Sequence, residues 1–175
     1  MTAPLSPRVV LVGAMGAGKS TVGRLVAEQL GASFLDTDEV VEQETGKAVA
    51  EIFIDDGEAR FRELERRAVA DALQSHDGVL ALGGGAVLDA ATRDLLDGHP
   101  VVFLRVGLSD AAKRVGLGVS RPLLLGNVRG RIKQLLDERT PIYEAVAAHV
   151  VDTDGLTAED VAERVRAVVE DGLHE

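Results

Sequence analysis

The sequence predicts an α/β fold in which a parallel sheet is covered by helices on both faces, and three observations carry that expectation. Short apolar runs alternate along the chain with longer segments of helical periodicity, the pattern from which helical crossovers build parallel sheets. The first run passes straight into a glycine-rich loop and then a helix. The length, 175 residues, suits one domain around one hydrophobic core. One domain spanning 1–175 is therefore expected.

Residues 9–12 are a β-branched apolar run that stops at Gly13, as a buried strand entering a tight turn does. From Lys19 the period becomes helical, with Val22, Leu25, Val26 and Leu30 on one stripe and Gly31 closing it. Further strands are expected at 33–35, 79–82, 101–106 and 150–151, with helical patterns between them. The last helix is the clearest. Ala158, Val161, Ala162, Val165, Val168 and Val169 share a face after Thr157, a cap with Asp160 three residues on. Residues 115–130 resist assignment, because Gly116, Gly118, Pro122, Gly126 and Gly130 punctuate them. They read either as a functional lid or as a plain surface loop.

Composition narrows the function classes. A formal net charge of −10 argues against non-specific nucleic-acid binding, which needs clustered cations. No apolar run approaches the roughly 20 residues of a membrane span. The N-terminus lacks the features of a secretory leader and there is no cysteine, so a cytoplasmic protein is expected. Of 19 basic residues 15 are Arg, either for two-pronged recognition of carboxylate and phosphate or because the coding sequence is GC-rich.

Gly13-Ala14-Met15-Gly16-Ala17-Gly18-Lys19-Ser20 matches GxxxxGK(S/T) in full. Such a loop turns its N–H groups onto phosphate oxygens, with Lys19 on the β- and γ-phosphates and the Ser20 hydroxyl on Mg²⁺. Asp36-Thr37-Asp38 follows the second strand, at the carboxyl edge where parallel sheets bind ligands. Its carboxylates either divide labour between Mg²⁺ and an acceptor hydroxyl or cap a helix. The strand at 79–82 lacks the aspartate that often ends it beside a phosphate loop, and Asp36 is the expected substitute. Gly83-Gly84-Gly85 then permits close ligand approach or simply turns the chain.

Charges also fall where apolar residues belong. In 58–73, at about 100° per helical residue, Arg62 and Glu65 lie within the arc of Phe61, Leu64, Ala68, Val69, Ala72 and Leu73. They form either a structural salt bridge or the wall of a polar pocket. The stripe Ile132, Leu135, Leu136 continues at i+7 to Arg139. Two arginines aimed inward from separate helices suggest a binding site for an anion such as a carboxylate.

These elements together make the chain resemble a shikimate kinase, in the nucleoside-monophosphate-kinase-like group of P-loop folds. The resemblance spans nearly the whole length. Beyond the phosphate loop it rests on DTD at 36–38, FRxxE at 61–65, GGGA at 83–86, RPLL at 121–124 and RxPxY at 139–143. It implies a three-layer α/β/α fold with a five-stranded parallel sheet of order 2-3-1-4-5, a substrate-binding region about 37–65 and a lid about 115–130. By the family pattern, Gly16, Ala17, Gly18, Lys19, Ser20, Thr21, Arg114 and Arg121 bind ATP, Arg114 lining the adenine and Arg121 reaching the phosphates. Asp38, Arg62, Gly83, Gly84, Gly85 and Arg139 bind shikimate, with Glu65 orienting Arg62. Ser20 and, through water, Asp36 serve Mg²⁺, and Asp38, Lys19, Arg121 and Arg139 are catalytic. One departure stands out: where some relatives carry an arginine after the fifth strand, this chain reads Asp154-Gly155-Leu156. The expected partners are ATP/ADP and shikimate, with no nucleic acid or membrane, and the expected state is a monomer. The rivals are a related sugar-acid kinase such as gluconate kinase, and a regulatory nucleotide-binding module without turnover.

Overall fold

The computed structural model describes residues 5–118 and 128–171. Strand β1 (Val9–Val12) is buried at every position, as a central strand covered on both faces must be. It pairs in parallel with β3 (Val79–Ala81) on one side and β4 (Val101–Arg105) on the other. Strand β2 (Phe34–Asp36) lies outside β3, and β5 (His149–Asp152) lies outside β4. The order is β2-β3-β1-β4-β5, the one the resemblance implies. Because the chain turns to opposite sides of β1, a crevice opens at the carboxyl ends of β1 and β3.

Helix α1 (Lys19–Leu30) starts at Gly18, whose φ of 88° suits glycine, and ends on Gly31. It packs on α8 (Ala158–Asp171). The expected capping box holds there: Asp160 N–H donates to Thr157 Oγ1 at 3.1 Å and Thr157 N–H to Asp160 Oδ2 at 3.4 Å. Three helices lie between β2 and β3: α2 (Thr37–Thr45), α3 (Val49–Asp55) and α4 (Glu58–Ser75). The inner end of α4 joins the main core through Val69, Ala72 and Leu73. Its outer end closes a second small cluster with Val41 of α2 and Ile52 of α3. A 3₁₀ turn (Ala86–Leu88) and α5 (Ala90–Leu96) lead to β4. Helix α6 (Leu108–Gly118) packs on α7 (Val128–Val146), and α7 touches β4. Among the described residues no helix is long and apolar enough to cross a membrane.

Boundaries moved where tertiary pairing overrode local signals. β5 is longer than the expected 150–151, since its register with β4 runs from His149 opposite Val102 to Asp152 opposite Arg105. The unassigned stretch 115–130 is narrower than the sequence suggests, because α6 reaches Gly118 and α7 begins at Val128. Both helices form through glycines, Gly116 in α6 and Gly130 in α7, that cost about 1 kcal/mol each relative to alanine. Residues 119–127, with Arg121 and most of the expected lid, lie outside the described residues.

Candidate active site

A cavity of about 740 Å³ occupies the crevice. Three elements meet there: the phosphate loop after β1, the DTD segment after β2 and the glycines after β3. Arg62 and Glu65 reach in from α4, and Ile132, Leu135, Leu136 and Arg139 from α7. The stripe that ends in an arginine thus faces the cavity along its length. Lys19, Arg62, Arg114, Arg131 and Arg139 outnumber Asp36, Asp38 and Glu65 in the lining, so the cavity is locally positive in a chain of net charge −10. Such a site draws an anion against the field of the whole protein.

Lys19 Nζ donates to the carbonyls of Gly13 at 2.7 Å and Ala14 at 3.2 Å. Burial brings its pKa down to about 8; Asp36 and Asp38 oppose that shift and Arg139 adds to it. Ser20 Oγ donates to Asp36 Oδ2 at 2.9 Å, while Asp36 Oδ1 accepts from the N–H of Asp38 at 2.8 Å. Asp36 therefore caps α2 and also faces the phosphate loop. The capping reading of this residue holds. Burial, then Asp36 and Glu65, push the Asp38 carboxyl up to about 6, with Lys19 pulling the other way.

Both readings of the α4 pair also hold. Arg62 Nη1 donates to Glu65 Oε1 at 2.9 Å, and both side chains line the cavity. Arg62 lies over the rings of Phe61 and Phe53, at 5.4 and 6.0 Å, and its Nε and Nη2 both donate to Glu58 Oε2 at 3.3 Å. Glu65 is only 4% exposed; burial raises its pKa although Arg62 resists that rise. The guanidinium is thereby held in one orientation with an edge toward the cavity.

The glycine run is shaped by these partners. A Cβ on Gly83 would stand 2.6 Å from Asp38 Oδ1, and one on Gly85 2.6 Å from Arg62 Nη1. The loop therefore turns the chain and also leaves room for two site residues. Gly84 is fixed differently: the buried Tyr143 hydroxyl donates to its carbonyl at 2.6 Å. Sequence reasoning did not give Tyr143 that role, nor did it place Phe53 and Val49 of α3 on the cavity wall. Val49 and Phe53 are ordinary apolar residues of a short helix, VAEIFID, and neither breaks a local pattern that would have drawn attention to it.

Gly85 has φ −98° and ψ 0°, which alanine also adopts, so Gly85→Ala should fold. Its methyl group would displace Arg62 by most of an ångström. We expect a drop in kcat/KM for the acceptor on the order of 10–100-fold, with ADP affinity and melting temperature near wild type. Steady-state kinetics beside ADP calorimetry check this; an equal loss for both ligands would mean damage beyond Arg62.

The remaining expected nucleotide residues are spread around the loop. Gly16, Gly18, Thr21 and Arg114 line the cavity, and Ala17 is buried behind it. Arg114 spends its hydrogen bonds on protein oxygens, those of Gly16 at 3.0 Å and Thr153 at 3.1 and 3.2 Å.

The family model for shikimate kinase matches residues 15–170. A shikimate kinase of Thermobifida fusca is 57% identical over 91% of this chain and 92% of its own length. One from Streptomyces coelicolor is 54% identical over 97% and 98%. Among solved structures, a shikimate kinase from Acinetobacter baumannii in complex with shikimate superposes with a TM-score of 0.87 at 36% identity, covering 95% of this chain and 93% of that one. A model match over nearly the whole chain, relatives of more than half identity and a shared fold leave one assignment: this chain belongs to the shikimate kinase family.

Proposed function

We propose that this chain is an ATP-dependent kinase that phosphorylates the 3-hydroxyl of shikimate, giving shikimate 3-phosphate and ADP on the route to chorismate and the aromatic amino acids. The observation that carries the reading is the meeting, in one cavity, of a phosphate loop with Asp38 and two inward arginines. Family membership and the likeness to a shikimate-bound structure support the acceptor.

In this reading Arg62 and Arg139 hold the acceptor carboxylate, and the backbone at Gly83, Gly84 and Gly85 approaches its hydroxyls. Asp38 orients the 3-hydroxyl. As that oxygen bonds to the γ-phosphorus and the bond to the β–γ bridging oxygen breaks, the hydroxyl proton passes to Asp38 and ADP leaves. Catalysis is mainly positioning and charge neutralisation, as a loose phosphoryl-transfer transition state requires. Lys19 and Arg139 supply fixed positive charge, and Arg121 joins them on the strength of the resemblance alone.

A divalent metal fits the residues present. Ser20 Oγ and Asp36 Oδ2 are hard oxygen donors 2.9 Å apart beside the loop. Among the described residues no group of three or more His, Cys, Asp or Glu forms a metal cage. That suits Mg²⁺, which keeps several waters and shares itself with nucleotide phosphates. When bound it would neutralise charge on those phosphates. The proposal includes one domain over 1–175, a substrate region about 37–65, and a cytoplasmic monomer that uses ATP and shikimate and no nucleic acid.

An ADP-release assay with shikimate, gluconate or no acceptor tests the reading. Release that depends on shikimate is the expected result. Faster release with gluconate would favour the sugar-acid kinase, and tight ADP binding without turnover on either acceptor would favour the regulatory module.

A further inference from the structure

The turn after β5 is tied to the phosphate loop through one guanidinium. Arg114 of α6 donates from Nη1 to Gly16 O at 3.0 Å and to Thr153 Oγ1 at 3.2 Å, with a longer contact to Ala17 O at 3.5 Å. Its Nη2 donates to Thr153 O at 3.1 Å. Asp110, one helical turn back, lies 3.8 Å away as counter-ion.

Thr153 is fully buried, and its own groups are committed. Its Oγ1 and its backbone N–H both donate to Arg105 O at 2.9 Å, which leaves a hydroxyl lone pair for Arg114. The turn around it is fastened twice more. Gly107 N–H donates to Asp154 Oδ1 at 2.8 Å and Gly155 N–H to Asp110 Oδ2 at 2.9 Å. A Cβ on Gly107 would stand 2.7 Å from Asp154 Oδ2, so this approach depends on that glycine. The segment Asp154-Gly155-Leu156, which departs from the arginine-bearing pattern, is thus a rigid abutment.

We propose that Thr153 and Arg114 are a positioning pair that sets the phosphate loop through the carbonyls of Gly16 and Ala17. In a trans peptide the N–H points away from the C=O. Holding the Gly16 and Ala17 carbonyls toward Arg114 therefore turns the N–H groups of Ala17 and Gly18 into the loop. Ala17 N–H does point there, onto Ala14 O at 3.1 Å. A carbonyl left without Arg114 would let those peptides rotate, and the anion-binding curvature would become one of several. Thr153 acts through Arg114 on nucleotide affinity and leaves the acceptor half of the cavity untouched.

The proposal rests on the reading that this loop holds a nucleotide, and its deciding measurement, ADP binding, is made without acceptor. Thr153→Val keeps the shape and removes the hydroxyl; Thr153→Ser keeps the hydroxyl. By calorimetry and kinetics, Thr153→Val should weaken ADP and raise the KM for ATP about tenfold, the size of one charge-assisted hydrogen bond. Shikimate affinity should stay within about twofold, and Thr153→Ser should restore ADP binding to within about twofold. Arg114→Lys, which keeps the charge and loses the fork, serves if the valine variant fails to fold, and should show the same ADP-selective loss. In combination with Thr153→Val its effect should be less than additive. Wild-type ADP affinity in either variant, or equal loss of ADP and shikimate affinity, overturns the proposal. Because ADP binding is read without acceptor, an enzyme that fails to use shikimate would refute the functional reading and leave this result standing.

Discussion

Replacing Asp38 with asparagine is expected to lower kcat by about 10³-fold, the middle of the range for loss of a general base, while ADP binds as before and the protein melts higher. The amide keeps the shape of the carboxylate but accepts no proton. Burial with Asp36 and Glu65 nearby raises the Asp38 pKa to about 6, so the group is mostly ionised at pH 7.5 and a stronger base than an ordinary aspartate. The same shift has a stability consequence of definite sign. The folded-state pKa lies above the ordinary aspartate value of 3.8, so between those pH values the folded chain holds a proton that the unfolded chain releases. Ionised Asp38 therefore destabilises the fold, fully above about pH 6 and not at all below the unfolded pKa. Asp38→Asn should raise Tm by on the order of a few degrees at pH 8 and hardly at pH 4. The wild-type profile of kcat/KM for ATP should fall on the acid side near pH 6 and, as Lys19 loses its proton, on the basic side near pH 8. Turnover of the asparagine variant within tenfold of wild type would remove Asp38 from the proton path.

Arg62→Ala is expected to raise the shikimate KM by about 10²-fold, the loss of a charge-assisted carboxylate contact, and to leave ADP affinity unchanged. It should also destabilise the fold, because Glu65, 4% exposed, loses its partner at 2.9 Å. Breaking a fully buried pair costs about 3–5 kcal/mol. The Arg62 side chain is 25% exposed, so about 2 kcal/mol is the better expectation here. Glu65 limits the loss by taking up a proton, its pKa being raised by burial already, so the variant should be more stable relative to wild type at pH 5 than at pH 8. A double replacement of Arg62 and Glu65 by methionine separates the roles. It should recover stability, since no buried charge is left alone, and should still fail to bind shikimate. Calorimetric shikimate binding at wild-type strength in Arg62→Ala would reduce the pair to a structural salt bridge.

The legible part of the site was the part that broke a local rule. Arg62 and Glu65 stood out because they fell inside an apolar helical arc, and Arg139 because it continued an apolar stripe. Both arginines do line the cavity. Thr153 and Tyr143 broke no rule. A threonine after a strand and a tyrosine on a helix are ordinary, and their importance comes from partners 39 and 59 residues away in Arg114 and Gly84.

By itself, the sequence determined the phosphate loop, the positions of the five strands and the presence of inward charges, because a motif, an apolar run and a helical period are each local properties of the chain. The tertiary structure alone decided which of those pieces touch. Strand order brings the end of β3 beside that of β2, setting Gly83 against Asp38 and Gly85 against Arg62. It also brings the turn after β5 beside β4 and α6, so that Thr153 meets Arg114. The pKa of Asp38 is likewise a tertiary property, since burial and the charges of Asp36 and Glu65 exist only once the elements have packed. Local periodicity reports which face of an element is buried, and it holds no record of which element will cover that face.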